Sequence, residues 1–265
     1  MIHVHDTNTL LQVRSSNSLY ASKNDGTEIP IHLVDEDRSL DLGISDSEKR
    51  WLDTIRFGCK AKSYALIPNS NSDLSGVVLG GGCGKRGEPC GPSDLLLGLL
   101  PSKLPVNTYY LGKGFVSPEL ASLSWGLGSY RFQHFKNLKD QRSQQSASAK
   151  LLLPNSINQT LIQSTVEAIW FARDLINMPA NDLAPSDLEA AVRLVASQHG
   201  ANVRSIIGDE LLSHKFHMIH AVGRGSPRQP RLIELIWKKD NLPPTAPKIT
   251  LVGKGITFDT GGLDL

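Results

Sequence analysis

The sequence predicts an α/β protein of two domains, the first over residues 1–150 and the second over residues 151–265. Short β-rich runs alternate with helical periodicities along the chain, which favours sheets flanked by helices. Its 265 residues exceed the usual size of one domain. A polar stretch over residues 141–150, poor in large apolar side chains, has the composition of an exposed connector between packed units.

In the first domain, apolar runs at residues 29–34 and 64–68 predict strands, and residues 77–79 predict another that runs into glycines. The stretch LGGGCGKRGEPCG, residues 79–91, has glycines able to aim backbone amides at an anion. Its spacing does not fit a phosphate cradle. Leu79 stands where glycine is needed five positions before the Gly84-Lys85 pair, and Arg86 stands where Ser or Thr is needed. A flexible surface loop is the expectation. Beyond the connector, Ile162, Val166, Ile169 and Ile176 recur at helical spacing, with Asn158 or Ser156 as cap, so a long amphipathic helix runs towards Asn177. A second helix starts at Pro185, with Ser186 and Glu189 as a capping box and Leu188, Val192 and Val195 on one face, and Gly200 ends it. Strands are predicted at residues 203–207, 218–222, 232–237 and 249–252, the last opening directly into glycines.

Composition narrows the function classes. Hydrophobic residues make up 40% and charged residues 20%, the balance of a soluble globular chain. Lys plus Arg is 28 against 26 for Asp plus Glu, a net of +2, too small a field to imply nucleic acid or a membrane as partner. No basic stretch leads into an apolar core at the N-terminus, and no run reaches the roughly 18 apolar residues of a membrane span. A cytoplasmic protein is expected. Three cysteines, Cys59, Cys83 and Cys90, are an odd number in a chain of this size, so reduced thiols are expected. The separation of Cys83 from Cys90 does not match ordinary metal-ligand spacing.

Chemistry concentrates near the end of the sequence. In GKGITFDTGGLDL, Gly253 and Gly255 bracket Lys254, and Gly261 and Gly262 follow Asp259 and Thr260. Glycine lets backbone approach a ligand closely, and in α/β sheets ligands gather at the C-terminal ends of strands. Only a neutral amine has a lone pair to give a metal, so Lys254 would serve as a ligand only if adjacent divalent ions favoured its deprotonation. The two oxygens of an ionised Asp259 would serve both ions. A surface lysine and an aspartate capping a turn is the plainer reading of the same residues.

VGKGITFDTGG closely resembles the signature stretch of leucyl (cytosol) aminopeptidases, two-metal exopeptidases that remove N-terminal residues from peptides. RDLINMPANDLAPSDL from Arg173 resembles the family's entry into its catalytic domain, and AVGRGSPRQPRLIELIW from Ala221 its next landmark. LLPSKLP from Leu99 and LSWGLGSYRFQHFK from Leu123 are similar to the N-terminal domain of one bacterial branch. The resemblance implies an N-terminal α/β domain with a mixed, macro-domain-like sheet, then the first part of an α/β metallopeptidase catalytic domain. It implies that Lys254 binds one metal and Asp259 contacts both, the ions being Mn²⁺ or Zn²⁺. The family's catalytic lysine and arginine and its remaining carboxylate ligands lie beyond the position of Leu265, so no catalytic residue falls within this sequence. His3, His5, His32, His134, His199, His214, His217 and His220 match no family ligand and read as surface or partner-satisfied histidines.

The expected function is therefore hydrolysis of N-terminal leucine and similar residues from peptides by metal-activated water, with this chain supplying part of the active site and inactive by itself. A hexamer is the assembly the family implies. A non-catalytic binding or assembly chain from the same family is the alternative. Transcriptional control through DNA, known for some members, finds no support in the near-neutral charge.

Overall fold

The computed structural model of the chain describes residues 12–21, 26–35, 43–83, 88, 92–132, 134–135, 148–239, 241–243 and 245–257. It is a mixed α/β structure. Its contacts divide it into two compact units, one over Val13–Ala172 and one that takes in the chain from Arg173 onward.

The first unit is built on a six-stranded sheet: β1 (Tyr20–Ala21), β2 (Ile29–Asp35), β3 (Tyr64–Pro68), β4 (Leu74–Gly82), β5 (Thr108–Leu111) and β6 (Lys150–Leu152). The strand order is β1-β6-β5-β2-β4-β3, parallel throughout except for the antiparallel β3–β4 pair. Strands buried on both faces need apolar side chains of both parities, and β2 and β4 supply them. Ile31, Leu33, Val77 and Leu79 face one core with Tyr109, Leu151 and Trp125. Val34 and Val78 face the other with Leu52, Phe57 and Ile67. Helix α1 (Asp46–Thr54) packs near β3 and starts in a capping box, with Ser45 and Glu48 satisfying each other's backbone amides. Helix α2 (Pro118–Gly128) is capped by Ser117 and buries Trp125 completely.

Two expectations for this unit are corrected. The strand predicted at residues 77–79 extends to Gly82, and Gly80, Gly81 and Gly82 are buried inside it, so the surface loop does not begin at Leu79. The glycines serve close packing: a Cβ on Gly80 would lie 2.2 Å from the Lys60 carbonyl oxygen. Backbone bonds from Gly80 to Ser63 and from Gly82 to Cys59 need that proximity. At the end of the supposed connector, Lys150 opens β6, because Leu151 beside it is wholly buried; residues 141–147 lie outside the described residues.

Helix α3 (Gln159–Asn177) forms as its spacing predicts, with the Asn158 side chain accepting from the Leu161 amide at 3.0 Å. Its buried stripe is Ile162, Val166 and Trp170. Ile176, assigned to that stripe from sequence, is 79% exposed, because the stripe's apolar contacts stop at Trp170. Trp170 donates its indole N–H to the Gly126 carbonyl.

The second unit holds α4 (Pro185–His199), β7 (Asn202–Ile207), α5 (Glu210–Ser213), α6 (His217–Gly223) and β8 (Arg231–Ile236). Helix α4 ends where Gly200 adopts φ +66, as its sequence predicts. Strands β7 and β8 pair antiparallel, from Asn202 opposite Ile236 to Ile207 opposite Arg231. The predicted strand at residues 218–222 is instead α6. Five apolar-rich residues are too few for periodicity to separate strand from helix, and local bonds such as His220 N–H to Phe216 carbonyl settle it. The predicted strand at residues 249–252 is also not formed. A strand needs a partner ladder, and none of the described strands pairs with this run. Ile249, Leu251 and Val252 are left 84%, 92% and 93% exposed.

Candidate metal centre

The segment that carries Lys254 follows that exposed run, and its own backbone is open. Nothing lies within 4 Å of where a Cβ on Gly253 would be. A Cβ on Gly255 would meet only Leu188 Cδ2, at 3.5 Å, so the segment passes near the first turns of α4. Lys254 itself is exposed. Asp259, its expected companion, lies outside the described residues.

What fixes α4 is therefore part of the site's construction. The turn between α3 and α4 folds on itself, with the Asp182 and Leu183 amides both donating to the Pro179 carbonyl. Arg228 closes it from outside: Nη1 donates to the Ala180 carbonyl at 2.7 Å and Nη2 to the Asn181 carbonyl at 2.9 Å. Asp187, in the first turn of α4, accepts from the Ala184 amide at 2.8 Å. That bond replaces the capping box expected from Ser186 and Glu189.

Glu189 has another task. It is 6% exposed and accepts from Arg193 (Nε 2.8 Å, Nη2 2.6 Å), from Arg231 Nη1 at 2.6 Å and from Ser205 Oγ at 2.7 Å. One carboxylate thus ties α4 to both strands. Burial pushes its pKa up, but the bonds from Ser205, Arg231 and Arg193 outweigh that and hold it below the usual glutamate value. Sequence reading missed this hub. The Glu189–Arg193 spacing of i to i+4 on a helix was a visible signal, whereas the link to Arg231, 42 positions away, had none.

The remaining expected groups do not gather. Among the described residues no three His, Cys, Asp or Glu side chains lie together as a metal site. His32 is buried in β2, where its Nδ1 accepts from the Lys113 amide at 3.0 Å, and His220 contacts Asp209 at 3.1 Å, so both are satisfied by partners. Neither Cys59 nor Cys83 is in a disulfide. A two-ion site needs several anionic or lone-pair donors, and the described residues offer Lys254 alone in this segment, so they do not by themselves hold the ions.

Comparison with known proteins places the chain. Residues 170–265 match the catalytic domain of the cytosol aminopeptidase family, and residues 29–154 match the M17 aminopeptidase N-terminal domain. A "Probable cytosol aminopeptidase" of Aeropyrum pernix is 31% identical over 213 residues, 77% of this chain and 42% of that protein. The crystal structure of the cytosol aminopeptidase from Coxiella burnetii superposes with a TM-score of 0.71 at 30% identity, covering 85% of this chain and 47% of that one. The bottromycin maturation enzyme BotP, solved in complex with Mn, shares the fold at 17% identity and a TM-score of 0.60, over 82% of this chain and 46% of its own.

The fold is thus an M17-type N-terminal domain followed by the start of a peptidase catalytic domain. The chain belongs to the cytosol aminopeptidase family. It spans less than half the length of these relatives.

Proposed function

We infer that this chain forms the front part of a metal-dependent aminopeptidase that releases leucine and similar residues from the N-termini of peptides. The observation that carries the inference is the joint match of both domains to one peptidase family, with VGKGITFDTGG retained in the catalytic part. Lys254 and Asp259 are the residues assigned to the metals, which would be two divalent ions, Mn²⁺ or Zn²⁺; the Mn bound by BotP favours the first. Divalent ions in such enzymes polarise the scissile carbonyl and lower the pKa of water.

This chain's own contribution is positional. The glycines flanking Lys254 leave its backbone open to close approach, in a segment that passes near Leu188 of α4. The family's further ligands and charge-stabilising groups are not among these 265 residues, which by themselves are proposed to be inactive. Peptides as substrates, a homohexamer as the assembly and the cytoplasm as the location follow from the same family reading. None of the described helices is long and apolar enough to cross a membrane.

The test is hydrolysis of leucyl-p-nitroanilide by the protein at its natural length, with and without chelator. Activity that chelation abolishes, and that Lys254→Ala and Asp259→Asn each lower by at least about 100-fold, is the expected result. A folded protein that binds no divalent ion and cleaves nothing would instead support a binding or assembly role.

A further inference from the structure

Two successive amides beyond β5 are turned toward β2. The Gly112 amide donates to the Ile31 carbonyl at 2.8 Å, which continues the parallel pairing of Ile31 with Leu111. A regular parallel ladder would then bring the Leu33 amide to the Gly112 carbonyl, but it donates to the Lys113 carbonyl at 2.9 Å. One extra residue has entered the strand extension, a bulge, and the shifted ladder gives the Lys113 amide no carbonyl of β2. A side chain supplies the acceptor instead, the Lys113 amide donating to His32 Nδ1 at 3.0 Å. Glycine on either side makes this approach possible. A Cβ on Gly112 would lie 2.7 Å from Nδ1, and Gly114 adopts φ +96 where a Cβ would overlap the Leu33 carbonyl oxygen.

An amide can donate only to a ring nitrogen that keeps its lone pair, so the single ring proton of His32 sits on Nε2. A proton added at Nδ1 would set two donors against each other in a place where the residue is buried. We propose that His32 is a pH-sensitive latch, holding the bulge at Gly112, Lys113 and Gly114 while its ring is neutral and releasing it on protonation. Burial is the largest influence favouring the neutral ring, the Lys113 charge adds to it, and Glu48 of α1 opposes both. On the other side β4 sets Val78 opposite His32 and contains no charged residue, and Asp35 is the one other ionisable residue of β2. The neutral form therefore persists to lower pH than in an ordinary histidine, and the latch opens as pH falls below that range. What it releases is bounded, because the Asp94 carboxylate accepts from the Val116 and Ser117 amides at 3.1 Å each and so holds the chain where α2 begins.

The experiment is NMR on the full chain, nitrogen-labelled in its amides and histidine rings, followed through an acid titration. At pH 7 the His32 ring shifts should report the Nε2–H form, with a scalar coupling across the hydrogen bond from the Lys113 amide nitrogen to Nδ1. As His32 titrates, that coupling should vanish and the protection of the Lys113 amide from solvent exchange should fall by at least about 10-fold, while the amides of β3 stay protected. His32→Asn keeps an acceptor near the Nδ1 position but does not titrate, so its Lys113 amide should hold one protection factor across the same range. A ring proton on Nδ1 at pH 7 would overturn the proposal, as would Lys113 protection that does not move through the titration or that falls equally in His32→Asn. So would loss of protection in β3 at the same pH, because His32 would then govern the stability of the whole unit rather than one bulge. The tautomer, the coupling and the β3 comparison are all read in the wild type, so the test stands even if His32→Asn does not fold. None of these outcomes depends on peptidase activity, so the inference and the proposed function fail separately.

Discussion

The two units of this chain are held together by different physics. Both continuous clusters of buried hydrophobic residues lie between Leu19 and Trp170, in the first unit, where a sheet is covered on both faces. In the second unit the buried hydrophobic residues among those described are mostly small or isolated, namely Leu183, Ala184, Ala191, Ala196, Ile206 and Leu211, and the element that joins helix to strands is an ionised carboxylate. Several of its large apolar side chains, among them Trp237, Ile249 and Leu251, are exposed. A unit built on area should resist salt, and one built on a charge hub should respond to substitution of single polar groups.

The sharpest test of the area-built unit is Trp125→Ala. The ring is fully buried and packs at 6.3 Å from Tyr109, so its loss should cost about 4 kcal/mol, read as an early chemical-denaturation transition of the first unit alone. Glu189→Ala is the matching test of the second unit. Removing the carboxylate leaves Arg231, whose side chain is only 14% exposed, beside Arg193 without an anion, and should cost about 3 kcal/mol. If Glu189→Ala leaves the second unit's transition unmoved, the contrast drawn here fails.

Titration should separate the units by pH. Burial is the main force lowering the His32 pKa, the Lys113 charge adds to it, and Glu48 opposes them. A histidine depressed in the fold costs stability on acidification, because the unfolded chain takes its proton first. The first unit should therefore begin to weaken as pH falls below the ordinary histidine value of 6.5. Protonation also removes the Nδ1 acceptor used by Lys113. Glu189 is a depressed carboxylate, so its contribution is complete above the ordinary value of 4.5 and is lost as pH falls from there through its folded value. Denaturant midpoints at pH 7, 5.5 and 4 should thus drop for the first unit before the second. The smallest expected effect is Ser45→Ala, which removes half of the α1 capping box and should lower the first unit's stability by about 1 kcal/mol.

How much of this was legible in the sequence follows the same division. In the first unit, strand runs such as residues 64–68 were read where they form, because consecutive apolar residues bounded by turns are a local signal. In the second, α4 was placed by Pro185 and Gly200, again local signals. The failures came where tertiary partners decide. The run at residues 218–222 took the helical state through its own i to i+4 bonds, and the run at 249–252 has no described strand beside it. At the candidate site the motif points to Lys254 and Asp259 by resemblance alone, Lys254 being exposed and Asp259 lying outside the described residues. The Arg228 clamp joins positions 48 and 47 apart in sequence, a relation that no spacing rule encodes.

The pairing of β1 with β6 bears on how the chain is made. Tyr20 sits beside Leu151 in the sheet, and Ser16 donates to Glu167 across 151 positions of sequence. During synthesis the first unit therefore waits with an apolar edge at β5 until β6 emerges, and at about 5–20 residues per second that wait lasts several seconds. Pairings this distant also slow the search for the native sheet once all of it is present. Newly made chains should consequently be most vulnerable to aggregation in the interval before Leu152 is released.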